Sequence, residues 1–366
     1  MSGTQRSVGL LLRGLIVVAV AAIVLIVAYF VVKNPSSPST VIALTHRPPV
    51  TARTGDVLVL GKGRATMASG PAGLWVARVA QAGAPGRLVQ IDTSTGKAEP
   101  SHPLSVTPVS LAVGRGVVWV LGTLPGSRLA TLLRIDPSSG KVTARAPLAE
   151  PPACATHPFA SCYPVATRDG VWVPLIDQIV HVPRSGTMTD RTVPVGGHVW
   201  DLTAGDHRLW ALAEVALYKI NERTFTYDRT VLTQALPAGL QANHVVVDDH
   251  SVWISSFPRG DAQLPGRIVH LLPGGKMPRV VLSRVYPGAG SLALADGGLW
   301  IDRYDGQGEL DRLDAATGAL TGPFVVVPDD VTAIAARGGV LWILSYRPTG
   351  NKRTVTRVSL TPVPSN

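Results

Sequence analysis

Tryptophan recurs along this 366-residue chain inside one short apolar signature: GLWV at Trp75, VVWV at Trp119, GVWV at Trp172, RLWA at Trp210, SVWI at Trp253, GLWI at Trp300 and VLWI at Trp342. The intervals are 44, 53, 38, 43, 47 and 42 residues. A near-constant period of this size means that the chain repeats one supersecondary unit and that neighbouring copies bury each other's apolar faces. Of the eight tryptophans, Trp200 alone stands outside the register.

Each period has the same internal order. A short apolar run, such as SLAV at 110–113 or HVVV at 244–247, leads to a Gly- and Asp-rich turn such as GRG at 114–116 or DGG at 296–298. The Trp run follows, then a variable loop, then a third run that ends in Asp-x-x-Ser/Thr-Gly. DTSTG at 92–96, DPSSG at 136–140 and DAATG at 314–318 show this turn best. The Asp can accept from backbone amides two residues on, and the Gly supplies the left-handed conformation that a tight hairpin needs. A fourth, more polar run closes the period, for example KVTARAPL at 141–148.

Four short runs joined by hairpin turns make one four-stranded propeller blade. The expected fold is therefore all-β: a seven-bladed β-propeller of four-stranded antiparallel blades over residues 54–360. No amphipathic helix follows residue 33, which excludes the helical repeat arrays, and 37 Gly with 30 Pro suit a turn-rich chain. The last period lacks its fourth run, and the orphan TGDVLVLGKG at 54–63 is expected to supply it, removing an open sheet edge.

Ahead of the repeats, residues 14–32 (GLIVVAVAAIVLIVAYFVV) carry no charge and no proline, and Arg13 and Lys33 bracket them. As a helix they would span about 28 Å, one hydrocarbon core. The run is longer than a cleaved signal's apolar region and no A-x-A site follows it. It is expected to be a transmembrane helix acting as an uncleaved signal anchor, with a cytoplasmic tail at 1–13, an extracytoplasmic linker at 33–53 and a C-terminal tail at 361–366. Arg6 and Arg13 beside the free amino terminus, with no acidic residue before Asp56, place the N-terminus inside. The propeller of this single-pass cell-membrane protein would then lie outside the cytoplasm. Two cysteines are too few for a disulfide scaffold or a four-Cys zinc site. In an oxidising compartment Cys154 and Cys162 would form a disulfide; the alternative is two free thiols in a cytosolic loop.

The seven in-register tryptophans are packing residues, filling the wedge between neighbouring blades. Ligand-binding residues are expected where the innermost strands enter the central channel. Counting back nine residues from each of these Trp, ten for the last, gives Thr66, Ser110, Tyr163, Asp201, His244, Ser291 and Thr332, all polar or polar-tipped. Tyr163, Asp201 and His244 fall on successive blades, and His198, Trp200 and Asn243 adjoin them. This sector is the expected binding site. No catalytic residue, metal or cofactor is assigned. No His-x-x-x-His pair, Gly-x-Ser-x-Gly elbow or phosphate loop occurs, although His198, Asp201 and His244 could share a metal. The net charge of +10 favours acidic partners. Nucleic acid is not expected, because the basic residues lack an interleaved aromatic platform.

With its polar residue, apolar strand, Gly/Asp turn, [LV]-W-[VI] and Ile-Asp-x-x-[ST]-Gly, as in LLRIDPSSGKV at 132–142, the chain resembles bacterial seven-bladed propellers of the streptogramin (virginiamycin B) lyase-like, YVTN and NHL type. The resemblance covers about residues 54–360 and implies the fold above all. The lyases in that group imply a metal-supported His and Glu constellation on the channel face. Here His244 stands where such a His would, while Val-Ala-Arg follows Trp75 and Ile-Ser-Ser follows Trp253 in place of acidic residues. The functional expectation is a membrane-tethered, non-catalytic binding module, held in the bilayer by one helix, for a protein, peptide or cell-envelope component. The alternative is a streptogramin-lyase-like, metal-assisted lyase or hydrolase using His244 and Asp201.

Overall fold

The computed structural model describes residues 54–360 except 80–83, 153, 155–162, 188–190, 206, 215, 234, 237–238, 249–250, 259–264, 273–278, 288–289, 296–297, 304–307, 316, 322–324, 328 and 338. These residues all belong to the second of two compact units, Ala43–Asn366. The segment expected to span a membrane (14–32), the tail 1–13, the linker 33–53 and the tail 361–366 lie outside the described residues. No described helix is long and apolar enough to cross a membrane.

Seven four-stranded antiparallel sheets form the unit. The innermost strands are Arg64–Gly70, Thr107–Gly114, Val165–Ala166, Val199–Gly205, Leu240–Val247, Leu292–Ala295 and Asp330–Arg337. The Trp runs form the second strands: Gly73–Val79, Val117–Thr123, Gly170–Pro174, Arg208–Ala213, Val252–Pro258, Gly298–Asp302 and Val340–Arg347. The third strands are Arg87–Ile91, Ala130–Ile135, Gln178–Pro183, Ala216–Ile220, Pro265–Leu272, Glu309–Asp314 and Lys352–Ser359. Outer strands of two to nine residues complete blades 1 to 6. In blade 7 the outer strand is Thr54–Lys62, which pairs antiparallel with Lys352–Ser359, Val57 facing Thr356.

The core consists of seven apolar clusters, each formed between two neighbouring blades. Trp75 packs with Leu111 and Val113 of blade 2, and Trp342 closes the ring against Met67, Leu74 and Val76 of blade 1. All seven in-register tryptophans are buried. Truncating one to alanine would cost about 3–5 kcal/mol. Nearer the axis the strands crowd, and a Cβ at Gly70 would run into the Val113 carbonyl of the next blade.

The third strands carry a pattern that the Trp spacing alone does not reveal. The residue directly opposite each Trp is polar or cationic: Gln90, Arg134, His181, Lys219, His270, Arg312 and Arg357. Several cover the indole face, with Lys219 Nζ 5.2 Å from the Trp210 ring and His270 stacked 4.0 Å from Trp253 at 4°. A cation over an indole gains electrostatic attraction while it closes the apolar wedge.

The Asp-x-x-Ser/Thr-Gly turns form through the expected side-chain acceptor. Asp92 and Asp136 accept from the amides of Ser94 (2.8 Å) and Ser138 (2.7 Å), while Asp314 accepts from Thr317, three residues on (2.7 Å). Gly96, Gly140 and Gly318 take φ of 74°, 64° and 68°. Blade 4 builds the same turn on Asn221, which accepts from the Arg223 amide, and places Phe225 at φ 60° where the others have glycine. This left-handed residue is offset by packing, since its ring lies 5.1 Å from Trp172 and 5.6 Å from His181 of blade 3.

Two predictions follow from this packing. Phe225→Ala keeps the backbone strain and loses the ring contact, whereas Phe225→Gly loses the contact but relieves the strain. Urea titration should therefore find the Gly variant the more stable, by about 1 kcal/mol, reversing the usual order of the two residues. Burial holds the His181 and His270 imidazoles below the ordinary histidine value, opposed by Asp169 and Asp248 respectively. Below about pH 6.5 the unfolded chain then binds more protons than the folded one, and stability falls as the medium is acidified. The urea midpoint should drop between pH 7.5 and 5, and His181→Gln with His270→Gln, copying Gln90, should flatten that drop.

Candidate functional site

On the innermost strands of blades 1, 2, 4 and 5, register places the residue nine before the Trp opposite the residue two after it, while Tyr163 and Ser291 stand just ahead of their strands. Thr66 faces Ala77, Ser110 faces Leu121, Asp201 faces Leu212 and His244 faces Ser255. In blades 2, 4 and 5 the ladder skips the preceding residue (Val109, Trp200 and Asn243), a bulge that re-aims the side chains around it. In blade 7 the skipped residue is Thr332 itself, so Ala333 faces Leu344. The sequence count, ten back from Trp342, assigns that level to Thr332. Its hydroxyl instead donates to the Leu344 carbonyl of its own blade, at 3.0 Å.

Two successive blades meet at Asp201. Its carboxylate is buried, and Oδ2 lies 3.3 Å from His244 Nδ1 and accepts from the Val245 amide at 2.9 Å. Oδ1 accepts from the Leu202 amide, also at 2.9 Å. One side chain thus ties blade 4 to blade 5 and orients an imidazole that keeps a partly exposed face. Tyr163 of blade 3 is half-buried. Burial, and then the Asp201 charge, push its phenol above the ordinary tyrosine value, while the Arg353 guanidinium pulls the other way. The structure therefore joins Asp201 directly to His244, and it exposes Tyr163 to the charges of Asp201 and of Arg353, a third-strand residue that the count along the inner strands could not reach. Its signal in the sequence was the basic content of the blade 7 loop.

The remaining expected residues have varied surroundings. Ser110 is buried, and Ser291 is half-buried just ahead of its strand, its carbonyl accepting from the Asp302 amide at 3.1 Å. Trp200 is only 3% exposed and belongs to the cluster of Trp210, Leu212 and Val245, so its indole packs blade 4 on blade 5. The His198 ring lies 6.1 Å from that indole, and Asn243 is half-buried at the bulge beside His244. Cys154 packs against the core cluster between blades 2 and 3, and Cys162 lies outside the described residues. Among the described residues no three His, Cys, Asp or Glu side chains converge as a metal site would require. His244 and Asp201 supply two donors.

No protein-family model matches this chain, and no curated protein matches it. Several solved structures are similar to it. The Cps50 (Swd1) β-propeller domain of Myceliophteria thermophila matches with a TM-score of 0.59 at 11% identity, over 84% of this chain and 99% of that one. Kuenenia stuttgartiensis hydrazine synthase matches at 0.60 and 12% identity, over 87% and 99%. BamB from Moraxella catarrhalis matches at 0.53 and 13% identity, over 83% and 99%. The chain shares their fold. At these identities the likeness extends no further, and the chemistry of the channel mouth has to be read from this chain's own residues.

Asp201→Ala would strand the buried Val245 amide and lower stability by about 1–3 kcal/mol. His244→Ala leaves both amide bonds to Asp201 in place and should cost well under half as much. Urea unfolding of the two variants checks this order.

Proposed function

We propose that the channel face is a recognition surface, and that the protein is a membrane-tethered, extracytoplasmic binding module for a protein, peptide or cell-envelope component. The observation that carries this reading is the Asp201–His244 pair joining blades 4 and 5, with Tyr163 of blade 3 within reach of the Asp201 and Arg353 charges. A phenol, a carboxylate-held imidazole and a guanidinium gathered at one partly exposed mouth are groups that fix a polar ligand's orientation. One of the three similar structures is named for an activity, so the fold is compatible with binding and with catalysis alike.

Tethering rests on the uncharged run at 14–32 and on the charge asymmetry around it. A Cys154–Cys162 disulfide fits the same compartment, and no described cysteine is a free thiol. A second reading has its own support. A carboxylate-bound imidazole is the arrangement of a general base, which keeps open a lyase or hydrolase at this mouth like those of the streptogramin lyase-like propellers. Metal content of the purified protein, and the effect of a chelator on it, test that reading.

The binding reading is tested by proximity crosslinking in the native host with mass spectrometry. Wild type is compared with Tyr163→Ala, His244→Ala and Asp201→Asn, the last chosen because it keeps an acceptor for the Val245 amide. A partner captured by wild type and lost in these variants is the expected result. Capture that is equal in all four chains removes this sector from the binding surface.

A further inference from the structure

The seam between blades 7 and 1 gathers positive charge beside the channel mouth. Lys62 of the outer blade 7 strand lies directly opposite Lys352, and Lys352 lies opposite Arg347 on its other side. Like charges placed across a ladder repel and weaken it. Arg353 follows, half-buried, with its guanidinium 4.0 Å over the Tyr346 ring and its Nε donating to the Gly63 carbonyl at 3.3 Å. Arg78 donates to the Leu60 carbonyl through Nη1. Arg64 is exposed at the start of the next strand, close enough for its charge to act on Arg353.

Two carboxylates flank this group among the described residues. Asp329 is engaged by Arg347 at 2.6 Å, and Asp330, opposite Tyr346 in register, takes part in no ion pair. Arg64, Arg78 and Arg353 therefore have no carboxylate partner among the described residues. Backbone carbonyls and an aromatic face hold two of these guanidiniums in fixed positions. Arg353 makes one hydrogen bond through Nε, which leaves both of its terminal nitrogens available as donors. The Arg353 charge also acts on the Tyr163 phenol.

We infer that this seam is a binding site for a phosphate oxyanion, with Arg353 as its anchoring fork and Arg64 and Arg78 supplying further positive charge. A phosphate group, with several acceptor oxygens around one centre, suits several cations held close together, where one carboxylate would need only one arginine. Planar guanidiniums held in place match such an anion without the ordering cost of free side chains. The site borders the channel mouth and extends the binding reading to one chemical group of the ligand, either free phosphate or the phosphate of a lipid headgroup.

The test is isothermal titration of the purified full chain in an uncharged detergent at low ionic strength, first with inorganic phosphate and then with the soluble short-chain lipid dihexanoyl phosphatidylglycerol. Arg353→Gln should weaken binding by about tenfold, the loss of roughly one charge-assisted contact. Arg64→Gln should weaken it several-fold, and Arg145→Gln, which removes an exposed cation elsewhere, should leave it unchanged. Because Arg353 also packs on Tyr346, circular dichroism of its variant accompanies the titration. Arg64, whose exposed side chain makes no hydrogen bond among the described residues, carries the comparison if that variant unfolds. Binding of both probes supports a site for the phosphate group as such, and binding of the lipid alone supports a headgroup source. No binding of either probe, or equal weakening by Arg145→Gln, overturns the inference. Its failure leaves partner capture through Tyr163, Asp201 and His244 intact, whereas loss of that sector's role would leave Arg-dependent phosphate binding standing.

Discussion

Everything in this molecule depends on the wedge between neighbouring blades. Sheets arranged around an axis diverge outward, and the opening space has to be filled by something large at a constant radius. Seven tryptophans on the second strands do this, each packed against the inner strands of the next blade. The requirement reverses toward the axis, where Gly70 has no room for a side chain. On the third strands a polar or cationic residue stands opposite every indole. Radial position thus dictates residue size and polarity, and the sequence period is the trace of that geometry.

Once the wedges are filled, the inner strands are left with side chains that point into the channel and have no apolar surface to join. Polar residues are tolerated there, and the fold enlists them in its own support. Asp201 is the clearest case, because its carboxylate receives two buried amides before it orients His244. The same side chain is therefore a strut between blades and part of the mouth's chemistry. Loss of binding in a variant at this position can report either role, and for that reason the conservative amide is the informative replacement.

Repetition made most of this architecture legible in the chain. A feature used seven times, such as the Trp run or the Asp-x-x-Ser/Thr-Gly turn, stands out against sequence noise. Features used once did not stand out. The bulge that moves Thr332 out of the ring inserts a residue without changing composition, so only the ladder reveals it. Phe225 sits where glycine would be expected, and its reason lies in the blade before it, on Trp172. Trp200 looked unassigned because it lacks a place in the repeat, yet the bulge turns it into the core. Arg353 acts on Tyr163 from a third strand, and no periodic count along inner strands leads there. The polar and cationic residues opposite the tryptophans were present in the sequence throughout, and became meaningful only when the strand register paired each with its indole.

The join between Thr54–Lys62 and Lys352–Ser359 sets the order of events in folding. Arg353 and Gly63, which are hydrogen-bonded to each other, are 290 residues apart in sequence. Six blades can assemble from hairpins between near neighbours, but the seventh has to wait for a strand made before the other blades and left without its partner until the last strands are made. Contacts so distant along the chain are slow to form, and an unpaired strand edge is open to the wrong partner meanwhile. The final closure therefore sets the pace of the whole ring, and the interval before it is the period of greatest exposure to misassembly.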